Sequence, residues 1–90
     1  MALRRFRRPI PARVRLERGL PMHLQPSSRL VPAGAIVARA GPWRASGDWW
    51  ASDGRPWDRD AWDIEIAGGG CYRLARLRAT GQWEVEAEID

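Results

Sequence analysis

The chain is poor in the residues on which most enzymes and secreted proteins depend. It has one cysteine and one histidine in 90 residues. Cys71 therefore has no internal disulfide partner, and His23 lacks the further ligands of a zinc site. No apolar run approaches the ~20 residues that a membrane span needs, and the N-terminus lacks the apolar core of a secretory signal. We therefore expect a soluble cytoplasmic protein.

Lysine is absent, so all fifteen basic residues are arginine, and they are unevenly distributed. Residues 1–44 hold ten arginines and one acid, whereas residues 45–90 hold five arginines and ten acids. The two parts carry +9 and −5, which sum to the net charge of +4. This separation of charge indicates that the two halves of the chain have different roles.

Alternation of apolar and polar residues predicts β-strands through most of the chain. The alternating segments, separated by glycine, proline or serine, are residues 12–17, 20–24, 35–40, 61–66, 71–78 and 82–90. Gly19 separates the first two segments, which predicts a hairpin there. Residues 1–11 have no period and contain two prolines, so we predict a basic arm or linker there. We expect one all-β domain over residues 12–90. It has five or six antiparallel strands in a small open barrel or curled sheet that ends in a three-stranded meander.

The turns of the meander predict its register. A two-residue turn at Thr80-Gly81 pairs Leu74 with Ala87. A three-residue turn at Gly68-Gly69-Gly70 pairs Ile64 with Leu74. Both turns place the apolar residues on one face, as a sheet with one buried side requires.

The same register predicts the charges on the opposite face of the meander. Arg73 is expected between Glu65 and Glu88, where opposite charges across strands stabilise the sheet. Glu84, Glu86 and Glu88 are expected together on the exposed face of an edge strand. Charged residues at that place oppose edge-to-edge association.

Acidic residues also cluster at Asp58, Asp60 and Asp63, which could in principle bind Mg²⁺. Arg59 lies among them, and we interpret the cluster as a solvated, loop-like segment. Gly68-Gly69-Gly70 lacks the residues that follow a phosphate-binding loop. The sequence thus predicts no catalytic residue, no metal site and no cofactor, and we expect a protein that is not an enzyme.

Five of the six tryptophans fall within residues 43–62. Trp62 and Trp83 match the apolar face of the meander and are predicted to be core residues. Exposed tryptophans are typical anchors of protein interfaces. The candidate protein-binding residues are the remaining tryptophans, Trp43, Trp49, Trp50 and Trp57. Most of these four are expected to fold over the sheet and complete the small core, which leaves one or two exposed as an anchor for a partner.

The N-terminal segment suggests a second function, the binding of nucleic acid. Its arginines could contact phosphates, and its one aromatic residue could stack on a base. The candidate nucleic-acid-binding residues are Arg4, Arg5, Phe6, Arg7 and Arg8. A solubilising linker would have the same composition, so both interpretations stay open, and any DNA contact through this arm is expected to be weak.

The tryptophan-rich segment and the last strand resemble the C-terminal region of ImuB-type proteins, which are inactive Y-family DNA polymerase homologues of the bacterial mutagenesis cassette. The motifs that carry the likeness are Ala40-Gly41-Pro42-Trp43-Arg44, Ser46-Gly47, Trp49-Trp50, Trp57-Asp58-Arg59-Asp60, Trp62-Asp63-Ile64, Tyr72-Arg73-Leu74 and Gly81-Gln82-Trp83-Glu84-Val85-Glu86. In addition, Leu3-Arg4-Arg5-Phe6-Arg7-Arg8-Pro9 resembles the stretch that leaves the little-finger domain of that family.

The resemblance implies a non-catalytic adaptor domain in translesion synthesis during the SOS response to DNA damage. The implied partners are a RecA-like companion protein and the error-prone replicative-type DNA polymerase of the mutagenesis complex. The polymerase palm and fingers are absent from the sequence, as is a glutamine-initiated sliding-clamp peptide. Neither clamp binding nor a polymerase-like grip on DNA is therefore expected of this chain.

Overall fold

A computed structural model describes residues 2–45 and 58–90 of the chain. In these ranges it contains six β-strands, joined by turns and irregular segments, and no helix. All strand pairs are antiparallel, so the prediction of an all-β fold is confirmed. The strands are β1 (Leu3–Glu17), β2 (Leu20–Pro26), β3 (Gly34–Ala45), β4 (Arg59–Ile66), β5 (Cys71–Leu77) and β6 (Trp83–Ile89).

The single sheet closes into a ring because the first strand pairs with the last. Each strand pairs with its neighbours in the chain, and β1 also pairs with β6. Residues 3–12 of β1 pair with β6, whereas residues 12–17 pair with β2. Such a stagger is expected when tilted strands close a sheet. Register shifts in four of the six ladders make the ring irregular.

Residues 3–11 are part of the strand that closes the ring, and the prediction of a separate arm is wrong for them. The ladder between β1 and β6 shifts register between Arg5 and Ile10, which takes Pro9 out of the regular pairing. Ile10 is buried in the core, and Phe6 packs against that core. The irregularity interrupts the two-residue period, which explains why the sequence pattern did not reveal a strand here.

The hairpin predicted around Gly19 is present as β1 and β2. Glu17 pairs with Leu20, which leaves a two-residue loop of Arg18 and Gly19. Both loop residues have a positive φ, 54° and 78°. That conformation suits a tight turn whose twist matches the flanking strands.

The meander of β4, β5 and β6 is confirmed, but its register differs from the prediction. Ile64 pairs with Tyr72, and Leu74 pairs with Val85. The first turn comes one residue early, since the Ile66 amide donates to the Gly70 carbonyl at 3.0 Å. With three consecutive glycines, the sequence does not fix which of them form the turn.

The second turn of the meander also differs from the prediction, because it is longer. The Leu77 amide donates to the Gln82 carbonyl at 2.8 Å, and the Gly81 amide donates to the Leu77 carbonyl at 2.7 Å. Four residues therefore lie in the loop instead of two. A register shift in β6 beyond this loop then reduces the displacement from the predicted pairing from two residues to one, since Arg73 pairs with Ala87.

The core fills the inside of the ring and contains both predicted core tryptophans, Trp62 and Trp83. The opposite face of the meander is covered in part, although the sequence pattern predicted one buried side. Small or apolar side chains on that outer face are 9 % exposed or less, namely Ala61, Ala75, Leu77 and Ala87. The outer face of these strands is thus shielded from solvent at these positions.

The prediction that three glutamates share the exposed face of an edge strand is wrong. β6 pairs with β5 on one side and with β1 on the other, so it has no free edge along its ladder. Glu86 is only 5 % exposed and forms an ion pair with Arg59, itself 7 % exposed. Glu86 lies at the register shift of β6, and this bulge turns its side chain towards β4.

Candidate functional site

Trp43 is a large exposed aromatic residue whose orientation is fixed by its neighbours. It lies in β3 opposite Ala61 of β4 and is 38 % exposed. The guanidinium carbon of Arg73 lies 5.2 Å from the centroid of the Trp43 ring. Because a cation over a tryptophan face is attractive, this contact holds the indole against the sheet.

Asp63 in turn holds Arg73 in place. The Arg73 Nε and Nη2 atoms donate to the two carboxylate oxygens of Asp63 at 2.9 and 3.2 Å. The two residues are direct cross-strand partners in β4 and β5. The hydrogen bonds that Arg73 donates to Asp63 raise the pKa of Arg73 above its ordinary value, so the guanidinium stays charged at every accessible pH. We call the surface formed by Trp43, Asp63 and Arg73 the tryptophan face.

Gly41 makes room for the Trp43 ring. Its φ is +120°, and a Cβ atom at this position would lie 3.2 Å from Cε3 of Trp43 and 2.7 Å from the Ala61 carbonyl oxygen. A side chain would therefore collide with the backbone of β4 and displace the indole. The Gly41-Pro42 sequence next to Trp43 thus has a steric role in shaping the tryptophan face.

Two further arginine–aspartate pairs lie near the tryptophan face. Arg44 donates to Asp58 through Nε at 3.1 Å and through Nη2 at 2.5 Å, and its hydrogen bonds hold the pKa of Asp58 below the ordinary value. Arg78 donates to Asp60 at 3.1 Å. The aspartates that could have suggested a metal site are therefore bound to arginine. Within residues 2–45 and 58–90, no group of three acidic, histidine or cysteine side chains is arranged to hold a metal ion.

Of the four tryptophans predicted to bind protein, the structure describes Trp43. Trp49, Trp50 and Trp57 lie outside the described residues. The sequence reasoning did not find Arg73 and Asp63 as parts of this site. The predicted register assigned Arg73 to Glu65 and Glu88, and the correct pairing depends on a turn position that the glycine run does not specify.

The predicted nucleic-acid-binding residues lie along β1, and two of their four charges are already paired with carboxylates. Arg4 pairs with Asp90 at 3.1 Å, and Arg5 lies 3.7 Å from Glu86. Phe6 packs against the core, which leaves less of its ring available for stacking. The remaining two residues, Arg7 and Arg8, are exposed, and in the described part of the chain they form no ion pair.

Comparison with known proteins identifies no relative. No family model matches the chain, and neither does any curated protein or solved structure. Within the described residues, no helix is long and apolar enough to cross a membrane. The geometry of the two candidate surfaces is therefore the main guide to function.

Proposed function

We propose that the chain is a non-catalytic protein-interaction domain, an adaptor of a translesion-synthesis mutagenesis complex that acts in the cytoplasm. The observation that carries this proposal is the exposed Trp43 ring held by Arg73 and Asp63. Tryptophan and arginine are the residues that most often dominate the energy of protein interfaces. The resemblance to ImuB-type proteins supports the partner class, a RecA-like companion protein and an error-prone replicative-type DNA polymerase.

Preorganisation is the physical reason for preferring a binding role for this surface. Ordering a flexible side chain at an interface costs about 0.5–1.5 kcal/mol, and a side chain that is already fixed avoids most of that cost. The Trp43 ring is fixed on the free chain by Arg73, which Asp63 holds with two hydrogen bonds. An apolar ring rimmed by charged pairs also resembles the layout of interfaces, where an apolar centre is surrounded by polar groups.

The proposal is tested by measuring the affinity of the purified chain for a purified RecA-like companion protein. Trp43→Ala is expected to weaken binding by about tenfold or more, as truncation of an interface anchor does. Leu30→Ala is the matched control, because Leu30 is 73 % exposed and lies in the loop between β2 and β3. The control is expected to bind like the wild type.

A second set of variants tests the remaining predicted binding residues, Trp49→Ala, Trp50→Ala and Trp57→Ala. Loss of affinity in any of them would extend the binding surface beyond Trp43. The proposal fails if the wild-type chain binds neither the companion protein nor the polymerase. It also fails if Trp43→Ala and Leu30→Ala change the affinity equally.

A further inference from the structure

Arginines pair with most of the acidic residues that the structure describes in the second half of the chain. Most carboxylates of residues 58–90 lie within ion-pair distance of a guanidinium. Three of these arginines come from the same half and two from the basic half. The pairs are Asp58 with Arg44, Asp60 with Arg78, Asp63 with Arg73, Glu86 with Arg59 and Asp90 with Arg4.

The basic half is not neutralised in the same way. Five exposed arginines between β1 and the β2–β3 loop form no ion pair in the parts of the chain that the structure describes. Their charge therefore stays available to an external anion. These residues are Arg7, Arg8, Arg13, Arg18 and Arg29.

One of these arginines lines an open cleft of about 710 Å³. The cleft lies where β1 changes its pairing partner at Ala12, between the end of β2 and the start of β6. Arg13 contributes the positive charge, and one acid, Glu84, is among the described lining residues. Gln25, Ser27 and Gln82 add side chains that donate and accept hydrogen bonds.

Arg76 does not line the cleft itself, but it places a second cation beside two residues that do. Its Nη2 atom would lie 3.7 Å from a Cβ atom at Gly81, a residue that lines the cleft. Its guanidinium carbon lies 5.4 Å from the ring centroid of Trp83, another lining residue. Arg76 is exposed and has no carboxylate within ion-pair distance in residues 2–45 and 58–90.

We propose that this cleft binds single-stranded nucleic acid, with Arg13 and Arg76 contacting phosphates. The hydrogen-bonding side chains in the cleft would contact sugars and base edges. Arg7 and Arg8, which form no ion pair with a described residue, lie on the same strand as Arg13, up to about 20 Å away at the usual rise of a strand. A row of cations of this length suits the backbone of a polymer better than a single phosphate ion. The cleft volume is that of a site for a small ligand, which favours one strand over a duplex.

This site differs from the one predicted from the sequence. Arg4 and Arg5 are paired with Asp90 and Glu86, and Phe6 packs against the core. The site is also separate from the tryptophan face, since the cleft lies on β1, β2 and the start of β6, and Arg76 of β5 is not one of the residues that form that face. The two proposals can therefore fail separately. Trp43→Ala is expected to bind single-stranded DNA with wild-type affinity.

The test is a fluorescence-anisotropy titration of labelled single-stranded DNA with the chain at several salt concentrations. The double variant Arg13→Gln/Arg76→Gln is expected to bind at least tenfold more weakly at low salt. Each phosphate contact that is lost should reduce the slope of log affinity against log salt by about one. The slope is therefore expected to fall by about two.

The matched control is Arg44→Gln/Arg78→Gln, which removes the same number of charges from the exposed ion pairs with Asp58 and Asp60. It is expected to retain affinity within about twofold, and an unlabelled duplex of the same length is expected to compete less well than the single strand. The proposal is overturned by equal losses in the two double variants, by salt-independent binding or by no binding. Stronger competition by the duplex would overturn the choice of a single strand. A circular-dichroism melt of each variant shows that it is folded.

Discussion

Arg39 of β3 donates a hydrogen bond from Nε to the backbone carbonyl of Pro21 in β2 at 2.9 Å. Its Nη2 atom also donates to the Ile36 carbonyl at 2.8 Å. The ladder between β2 and β3 has two residue pairs, the fewest in the ring. The guanidinium thus bridges two strands at the place where backbone pairing is shortest. Its hydrogen bonds compensate in part for the backbone hydrogen bonds that a longer ladder would have.

Replacement of Arg39 is therefore expected to weaken the junction between β2 and β3. Arg39→Met keeps an unbranched side chain but removes both hydrogen bonds, and we expect a loss of about 1–3 kcal/mol in the free energy of unfolding. Urea denaturation measures that loss, and hydrogen exchange should show faster exchange in β2. Arg29→Met, at an exposed arginine of the loop, is the control. Equal stability of the two variants would show that the Arg39 bridge does not stabilise the ring.

The buried pair of Arg59 and Glu86 predicts a strongly non-additive pair of substitutions. Arg59→Met leaves the Glu86 charge buried, so we expect a loss of about 3–5 kcal/mol. The double variant Arg59→Met/Glu86→Leu should recover at least half of that loss. Arg78→Gln, at a more exposed ion pair, should cost less than about 1 kcal/mol. A double-mutant cycle measured by denaturation tests this coupling. If the losses of Arg59→Met and Glu86→Leu add up to the loss of the double variant, the two side chains are not coupled.

Gly41 is expected to tolerate no side chain. Gly41→Ala combines a positive φ with a Cβ atom 2.7 Å from the Ala61 carbonyl oxygen, and we expect a loss of about 1–3 kcal/mol. Gly68→Ala separates the two causes, because Gly68 also has a positive φ but open space around the added atom. A smaller loss in Gly68→Ala is the expected result of a melting comparison. Equal losses would mean that the close approach of β3 to β4 contributes nothing to the destabilisation by Gly41→Ala.

The phenol of Tyr72 is expected to titrate later in the folded chain than in the unfolded chain. Burial, and then the neighbouring Glu88 carboxylate, raise the pKa of Tyr72 above its ordinary value. The folded state thus binds the phenolic proton more tightly. This stabilisation is complete below the unfolded-state pKa and is lost as the pH rises through the folded-state pKa.

Phenolate absorbance measures this shift without interference from other tyrosines, because Tyr72 is the only one. The midpoint in the native protein should exceed that in urea, and Glu88→Gln should lower the native midpoint. Glu65→Gln is the control, since Glu65 is exposed and does not contribute to the Tyr72 pKa. A native midpoint at or below that of the unfolded chain would contradict the buried position of the phenol.

Local patterns were sufficient to predict the fold class, the hairpin of β1 and β2 and the strands of the meander. Each of these elements has a two-residue period and a glycine turn of its own. The closure by residues 3–11 could not be predicted, because it joins opposite ends of the chain through an irregular ladder that contains Pro9 and Pro11. Long-range pairing of this kind leaves no periodic signal in the sequence.

The candidate sites were only partly predictable for a related reason. Trp43 was identified from residue type, but Arg73 and Asp63 depend on a register displaced by two residues from the predicted one. Arg13 and Arg76 come from β1 and β5, and they approach one cleft because the ring closes. Composition shows an excess of arginine in the first half of the chain. It cannot show which guanidinium groups form ion pairs with carboxylates in the folded chain.

The central claim is that the outer surface of β3–β5 around Trp43 binds a protein partner. Its most direct test is a map of amide chemical-shift changes in the labelled chain as the RecA-like companion protein is added. The account predicts changes centred on Trp43, Asp63 and Arg73, and their absence in Trp43→Ala. Changes confined to β1 and β2, or no change at saturating partner, would contradict it.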